Sequence, residues 1–217
     1  METEIPYDRA ATPVKSVAIL TPDFPKYPMA ALASSLGGSF GLIGLLVDAG
    51  MNEARQDRMI DLLQKQNFDA QAIFLDRLET GLKAQGYEVV RFAVARDTSH
   101  KFLPTYPPQG EVKTDAYLDI IVGAYGYYAS GIADSTPYRP AFSARARLVR
   151  AKDASVLMQD TVVYNPLGRV EHFVSIAPDP AAQYVHYDQL LADPVKAAGY
   201  LRTAEEKSAD ALAGLLH

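Results

Sequence analysis

Residues 28–47 run for twenty positions without a single charge: Pro-Met-Ala-Ala-Leu-Ala-Ser-Ser-Leu-Gly-Gly-Ser-Phe-Gly-Leu-Ile-Gly-Leu-Leu-Val. A stretch of that length crosses a bilayer, is wrapped by the rest of the fold, or is presented to a partner, and each outcome makes a different protein. Four glycines, three serines and a proline dilute it to the border of membrane insertion. The plainest expectation is therefore a tightly packed helix. Gly37 and Gly41 stand in G-x-x-x-G spacing, and Gly44 extends the same small-residue face. Each glycine inside a helix costs up to ~1 kcal/mol against alanine, so a close approach somewhere should offset it. Gly37, Gly38, Phe40, Gly41 and Gly44 are accordingly the first candidate contact residues, for another subunit, a lipid surface or an apolar ligand. The same run spells Gly37-Gly38-Ser39-Phe40-Gly41, a G-x-S-x-G pattern. In serine hydrolases that pattern seats the nucleophile on a strand-to-helix turn, whereas here helix-like residues precede it. A hydrolase using Ser39 is kept as a second alternative.

The 217 residues carry 21 basic and 26 acidic side chains, a net charge of −5. No broad positive field exists to hold a phosphate backbone, so nucleic acid is not an expected partner. Cysteine is absent, which excludes disulfides, thiolate metal sites and cysteine nucleophiles. The length suits one domain. Residues 1–13, with prolines, mixed charges and no periodicity, read as an N-terminal tether, and residues 14–217 as a single α+β domain. The opening residues lack a basic and apolar leader, which leaves two readings: a cytoplasmic protein, or a mature segment behind an added start Met.

The element order follows from periodicity. Residues 16–20 are a short apolar run stopped by Thr21-Pro22 and read as a buried strand. The chain is helix-like from residue 29, uncharged until Asp48 and then charged through about residue 66. Asp69 is placed to cap a further helix with Ile73, Phe74, Leu78 and Leu82 on one face, closed by Gly86. Residues 87–95 are strand-like, and residues 98–114, rich in proline, read as an exposed connection. Residues 115–130 alternate most clearly, Ala116, Leu118, Ile120 and Val122 against Tyr117, Asp119 and Ile121. Residues 141–150 and 156–164, joined through Lys152-Asp153-Ala154, make a hairpin. Arg145 and Arg147 share a face and would meet Asp119 across neighbouring strands. Residues 166–194 look irregular. Asp193-Pro194 then starts a terminal helix with Leu201, Ala204, Ser208, Leu212 and Leu215 on one face. The expected fold is α+β: a mixed or largely antiparallel sheet with helices on one face, plus a Gly-rich apolar helical insertion.

Two segments carry a family resemblance. Asp115-Ala116-Tyr117-Leu118-Asp119-Ile120-Ile121-Val122-Gly123 resembles the alanine–aspartate–tyrosine strand of the TolB amino-terminal domain and of the periplasmic domain of the curli-secretion lipoprotein. Residues 147–157, Arg-Leu-Val-Arg-Ala-Lys-Asp-Ala-Ser-Val-Leu, resemble the hairpin that follows in both. The chain is similar in this respect to Gram-negative envelope lipoproteins of unknown function. The resemblance implies a non-catalytic assembly or transport accessory, facing the periplasm, lipid-anchored in its precursor and associating with a protein partner or with itself.

Tyrosines cluster late in the chain. Tyr125, Tyr127 and Tyr128 end one strand, Tyr138 follows in the next loop, and Tyr184 and Tyr187 lie further on. They make either a half-buried sheet edge or an aromatic recognition surface, and Tyr125, Tyr127 and Tyr138 join the glycines as candidate contacts. On that view the alternative function is a carrier of a small apolar ligand or lipid. His100, His172, His186 and His217 show no metal-ligand spacing, so neither a metal site nor a cofactor is expected, and no catalytic residue is assigned.

Overall fold

Strand β4 (Ala116–Ala129) is the axis on which the sheet is built. In the computed structural model, the described residues are 4–32, 49–96, 100–108, 110–131, 136–166 and 172–217. Along one side of β4 runs β5 (Arg139–Arg150), antiparallel, followed by β6 (Val156–Tyr164) as its hairpin partner. The other side is shared by two short parallel strands. β1 (Ser16–Leu20) lies against the start of β4, and β2 (Met29–Leu32) against its end. β3 (Glu88–Phe92) adds in parallel to β1, and β7 (Val174–Ile176) in parallel to β6. The result is the seven-stranded mixed sheet of an α+β fold.

The helices are α1 (Ala49–Lys65), α2 (Ala70–Ala84), α3 (Tyr187–Ala192) and α4 (Pro194–Gly214). α2 begins where its cap was expected: the Asp69 carboxylate accepts from the Ala72 N–H at 2.9 Å. It ends at Gly86, whose φ of +87° is the left-handed stop a glycine adopts most cheaply. Phe74, Leu78 and Leu82 face the sheet, and Phe74 stacks on Phe142 of β5 at 5.0 Å. α4 starts on Pro194 and buries Leu201, Ala204 and Leu212 on the same side. Bidentate contacts from Arg77 to Asp210, at 2.6 and 2.8 Å, tie α2 to α4 on the surface.

The alternation along β4 changes parity once. Ala116, Leu118, Ile120 and Val122 face the helices, and a bulge between Val122 and Ala124 then hands that face to Tyr125, Tyr127 and Ala129. On the opposite face, Tyr117 packs with Ala18 and Leu20 beneath Leu103, Tyr106 and Val112. Residues 98–114, expected as an exposed connection, therefore cover the second face of the sheet where they are described. Buried Asp119 holds them there, accepting from Arg96, from the Leu103 N–H at 2.8 Å and from the Tyr106 hydroxyl at 3.1 Å.

Four further expectations change. Residues 29–32 form a parallel strand rather than the start of a helix, because Gly126 lets the chain lie directly on β4. The remainder of the expected insertion up to residue 48 lies outside the described residues. Asp119 does sit opposite Arg147 in register, yet its charge partner is Arg96, and Arg147 instead donates to Gln159 at 2.8 Å. Residues 4–13, read as a tether, lie on the domain. Ile5 exchanges two backbone hydrogen bonds with Gln159, at 2.8 and 2.9 Å, and the Arg9 guanidinium covers the Tyr87 ring at 4.4 Å. Residues 166–194, read as irregular, include β7 and α3, too short for periodicity to reveal.

Glu205 of α4 is the exception in the core. It is fully buried, and neither carboxylate oxygen has a partner. Burial pushes its pKa well above the usual carboxylate value, opposed by Arg202 and reinforced by Asp69 and Glu206. A carboxyl with a raised folded pKa binds its proton more tightly in the folded state. Its contribution to stability is thus complete below the unfolded value of ~4.3 and is lost as pH rises towards the folded value, at about 1.4 kcal/mol per pH unit. Glu205→Gln should abolish that slope. In urea melts from pH about 5 to about 8, the variant should gain steadily on the parent protein; a gap that stays constant with pH would refute the assignment.

Candidate functional site

A cleft of about 550 Å³ opens where the end of β2 meets α1 and the approach to α3. Its walls are Leu32, the last residue of β2; Ala54, Arg55 and Arg58 of α1; Gly131 just after β4; Tyr138 just before β5; and Val185, His186, Tyr187 and Asp188 at the start of α3. These pieces come from distant parts of the chain, and backbone bonds fix them. Tyr138 and Tyr184 exchange N–H···O contacts at 2.8 and 3.0 Å, so the strand entering β5 holds the segment leading into α3. The Tyr187 hydroxyl donates to the Arg55 carbonyl at 2.5 Å, which ties α3 to α1. The Gln56 amide donates to the Pro28 carbonyl at 3.2 Å and sets α1 against the start of β2.

Two aromatic rings form the floor. Tyr138 and Tyr187 are both buried, with centroids 5.4 Å apart and planes inclined at 50°. Burial raises the pKa of each phenol, and Arg55 opposes the rise at both. Both phenols therefore stay neutral at physiological pH. Leu32 and Val185 add aliphatic surface, and Val185 is 40% exposed.

The charge at the cleft is cationic in a chain whose net charge is negative. Arg55 and Arg58 lie three residues apart on one helix face, where like charges cost a few tenths of a kcal/mol. Arg58 reaches Asp188 at 3.8 Å, but the two side chains are 64% and 90% exposed, so the pair contributes little. Arg55 has no carboxylate partner among the described residues. Its guanidinium lies 5.9 Å from the centre of the Tyr187 ring. Its Nη1 is shut off from water and donates to nothing. An unmade hydrogen bond of this kind costs about 1–3 kcal/mol. No group of three His, Asp or Glu side chains gathers within metal-binding reach among the described residues.

The sequence-predicted contacts divide sharply. Tyr138 lines the cleft. Tyr127 is in the core, its hydroxyl donating to the Ala197 carbonyl of α4 at 2.8 Å, and burial pushes its pKa far up. Tyr125 is also in the core, against Phe24 at 5.3 Å, and burial raises its pKa to about 12. Neither presents a recognition surface, because the bulge in β4 turns both towards the helices. Gly37, Gly38, Phe40, Gly41 and Gly44, with Ser39, lie outside the described residues. His186 borders the cleft, while His172 sits elsewhere, beside Glu4 and Asp160. Sequence reasoning missed Arg55 and Arg58. The available signal was two arginines at i and i+3 just after an uncharged run.

Fold and site together define an α+β domain with a mixed sheet, helices on one face and an aromatic-walled, cationic cleft at one end of that sheet. No protein-family model matches the chain, and no curated protein does. Among solved structures, the chain is similar to the crystal structure of a protein from Xanthomonas campestris assigned to the family DUF330. The match covers 98% of this chain and 90% of that one, at 12% identity and a TM-score of 0.47.

Proposed function

We propose that this protein is a non-catalytic binding protein of the cell-envelope accessory type, which holds a small amphiphilic molecule in the cleft beside Tyr138. The observation that carries this reading is the cleft itself. Its volume falls in the range of small-molecule sites, and its wall joins aromatic and aliphatic surface to the Arg55 guanidinium, whose Nη1 has no acceptor. Among the described residues of that wall no nucleophile is paired with a base, so retention rather than turnover is the chemistry they suit. The envelope address, a periplasm-facing accessory working with a protein partner or a second copy, draws its support from the resemblance of residues 115–123 and 147–157.

A neutral fluorescent probe tests the cleft. N-phenyl-1-naphthylamine should bind saturably at one site per chain. Val185→Glu places a charge at an exposed wall position and should weaken that binding about tenfold, with the thermal midpoint kept. Absence of saturable uptake would remove the reading.

A further inference from the structure

We propose that the cleft is built for an oxyanion, a phosphate or carboxylate head on an apolar stem, with the head taken by Arg55 and Arg58. This deepens the binding reading above and rests on it. Arg55 lacks an acceptor at one of its donors. Several other guanidinium groups in the fold find oxygen: Arg77 on Asp210, Arg91 on Asp76 and Glu79, Arg96 on Asp119, Arg147 on Gln159. No such oxygen stands on the Arg55 side chain among the described residues: its Nη1 is buried without an acceptor, and the part of the side chain that lines the cleft is where an incoming oxyanion can meet it. A planar guanidinium fork matches the two oxygens of a carboxylate or phosphate.

The charge around Arg55 also favours an anion. Among the described residues, the charged and titratable side chains lining the cleft are Arg55, Arg58, His186 and Asp188, together with the neutral phenols Tyr138 and Tyr187. Asp188, the one carboxylate among the described lining residues, is 3.8 Å from Arg58 and largely in water, so an incoming anion competes for Arg58 against a weak partner. A cationic ligand would instead meet two guanidinium groups at close range. The surface beyond the head is apolar. Leu32, Val185 and the Tyr138 ring continue the wall with apolar area, which a stem covers and a bare ion does not.

Calorimetric titration of the intact chain with dodecyl phosphate, dodecyl maltoside and inorganic phosphate, each amphiphile kept monomeric, tests the proposal. Dodecyl phosphate should bind about tenfold or more tightly than the maltoside, and the preference should shrink with added salt. Arg55→Gln should collapse that preference towards unity, and Arg55→Lys should restore part of it. Thermal melts accompany each variant. If Arg55→Gln does not fold, Arg55→Lys and Arg58→Gln carry the same ratio measurement. Equal affinity for the two amphiphiles, or a preference that survives Arg55→Gln, overturns the oxyanion inference while the cleft remains a binding site. No binding of either amphiphile or of the naphthylamine probe removes the site altogether. Competition by inorganic phosphate at matched concentration supports head recognition and overturns the stem, whereas failure to compete supports the amphiphile.

Discussion

Asp119→Ala is expected to cost about 3–5 kcal/mol of folding stability, an effect seldom reached by one surface-distant substitution. Asp119 is fully buried on β4, and its carboxylate serves three donors from residues 96–106. Removing it leaves the Arg96 guanidinium, itself only 9% exposed, without its counter-charge. It also leaves the Leu103 N–H and the Tyr106 hydroxyl without an acceptor. Arg96 keeps one bond, to the Thr21 carbonyl at 2.5 Å, which does not neutralise it. The same carboxylate pins residues 100–107 over the face of the sheet formed by Ala18, Leu20 and Tyr117, so local protection should fall with global stability. Urea denaturation at neutral pH reads the first effect, and amide exchange across residues 100–107 reads the second. The double variant Arg96→Met with Asp119→Leu removes both charges together and should recover most of the loss. A cost below about 1 kcal/mol for Asp119→Ala would mean that the pair has not been desolvated as the geometry requires.

The legible part of this fold is the part built from long, regular segments. β1, β4, the β5–β6 hairpin, α2 and α4 declare themselves through alternation, a capping Asp69 and a helix-starting Pro194, and they fix the mixed sheet with helices on one face. What stayed hidden has a physical pattern. β2, β7 and α3 have four, three and six residues, below the length at which a period of 2 or 3.6 emerges. The bulge near Gly123 cannot be heard in the alternation of β4, because Ala124 and Gly126 are neutral to either face. A period of two puts Tyr125 and Tyr127 on one face, but the parity change makes that face the core. The Asp119–Arg96 pair joins a central strand to a connection 23 residues earlier, a distance at which no local spacing rule operates. The cleft is the least legible feature. Its wall is assembled from the end of β2, from α1, from Gly131 after β4 and Tyr138 before β5, and from the start of α3, and of these only Tyr138 is a contact candidate in the sequence, for its membership of a tyrosine cluster.

Gly126→Ala should be nearly as damaging as the loss of Asp119, about 3 kcal/mol, and should take the cleft with it. Gly126 has φ +135°, a conformation that side-chain-bearing residues rarely adopt. A Cβ at this position would stand 2.1 Å from the Met29 carbonyl oxygen and 2.6 Å from the Met29 nitrogen. Both are backbone atoms of β2, held in register with Gly126, so no side-chain rotation relieves the collision. Either β4 changes its local path or β2 leaves the sheet. The second is the easier, since β2 is paired to β4 over only four residues. Loss of β2 withdraws Leu32 from the cleft and frees Pro28 from the Gln56 amide, so the wall on that side goes while the β4–β5–β6 hairpins keep their own pairing. The expected signature is a lowered denaturation midpoint, collapse of naphthylamine binding, and amide exchange that rises at residues 29–32 far more than along β5 and β6. Gly126→Ala with unchanged stability and unchanged probe binding would show that β2 does not lie on β4 at this register, and the cleft described above would lose its first wall.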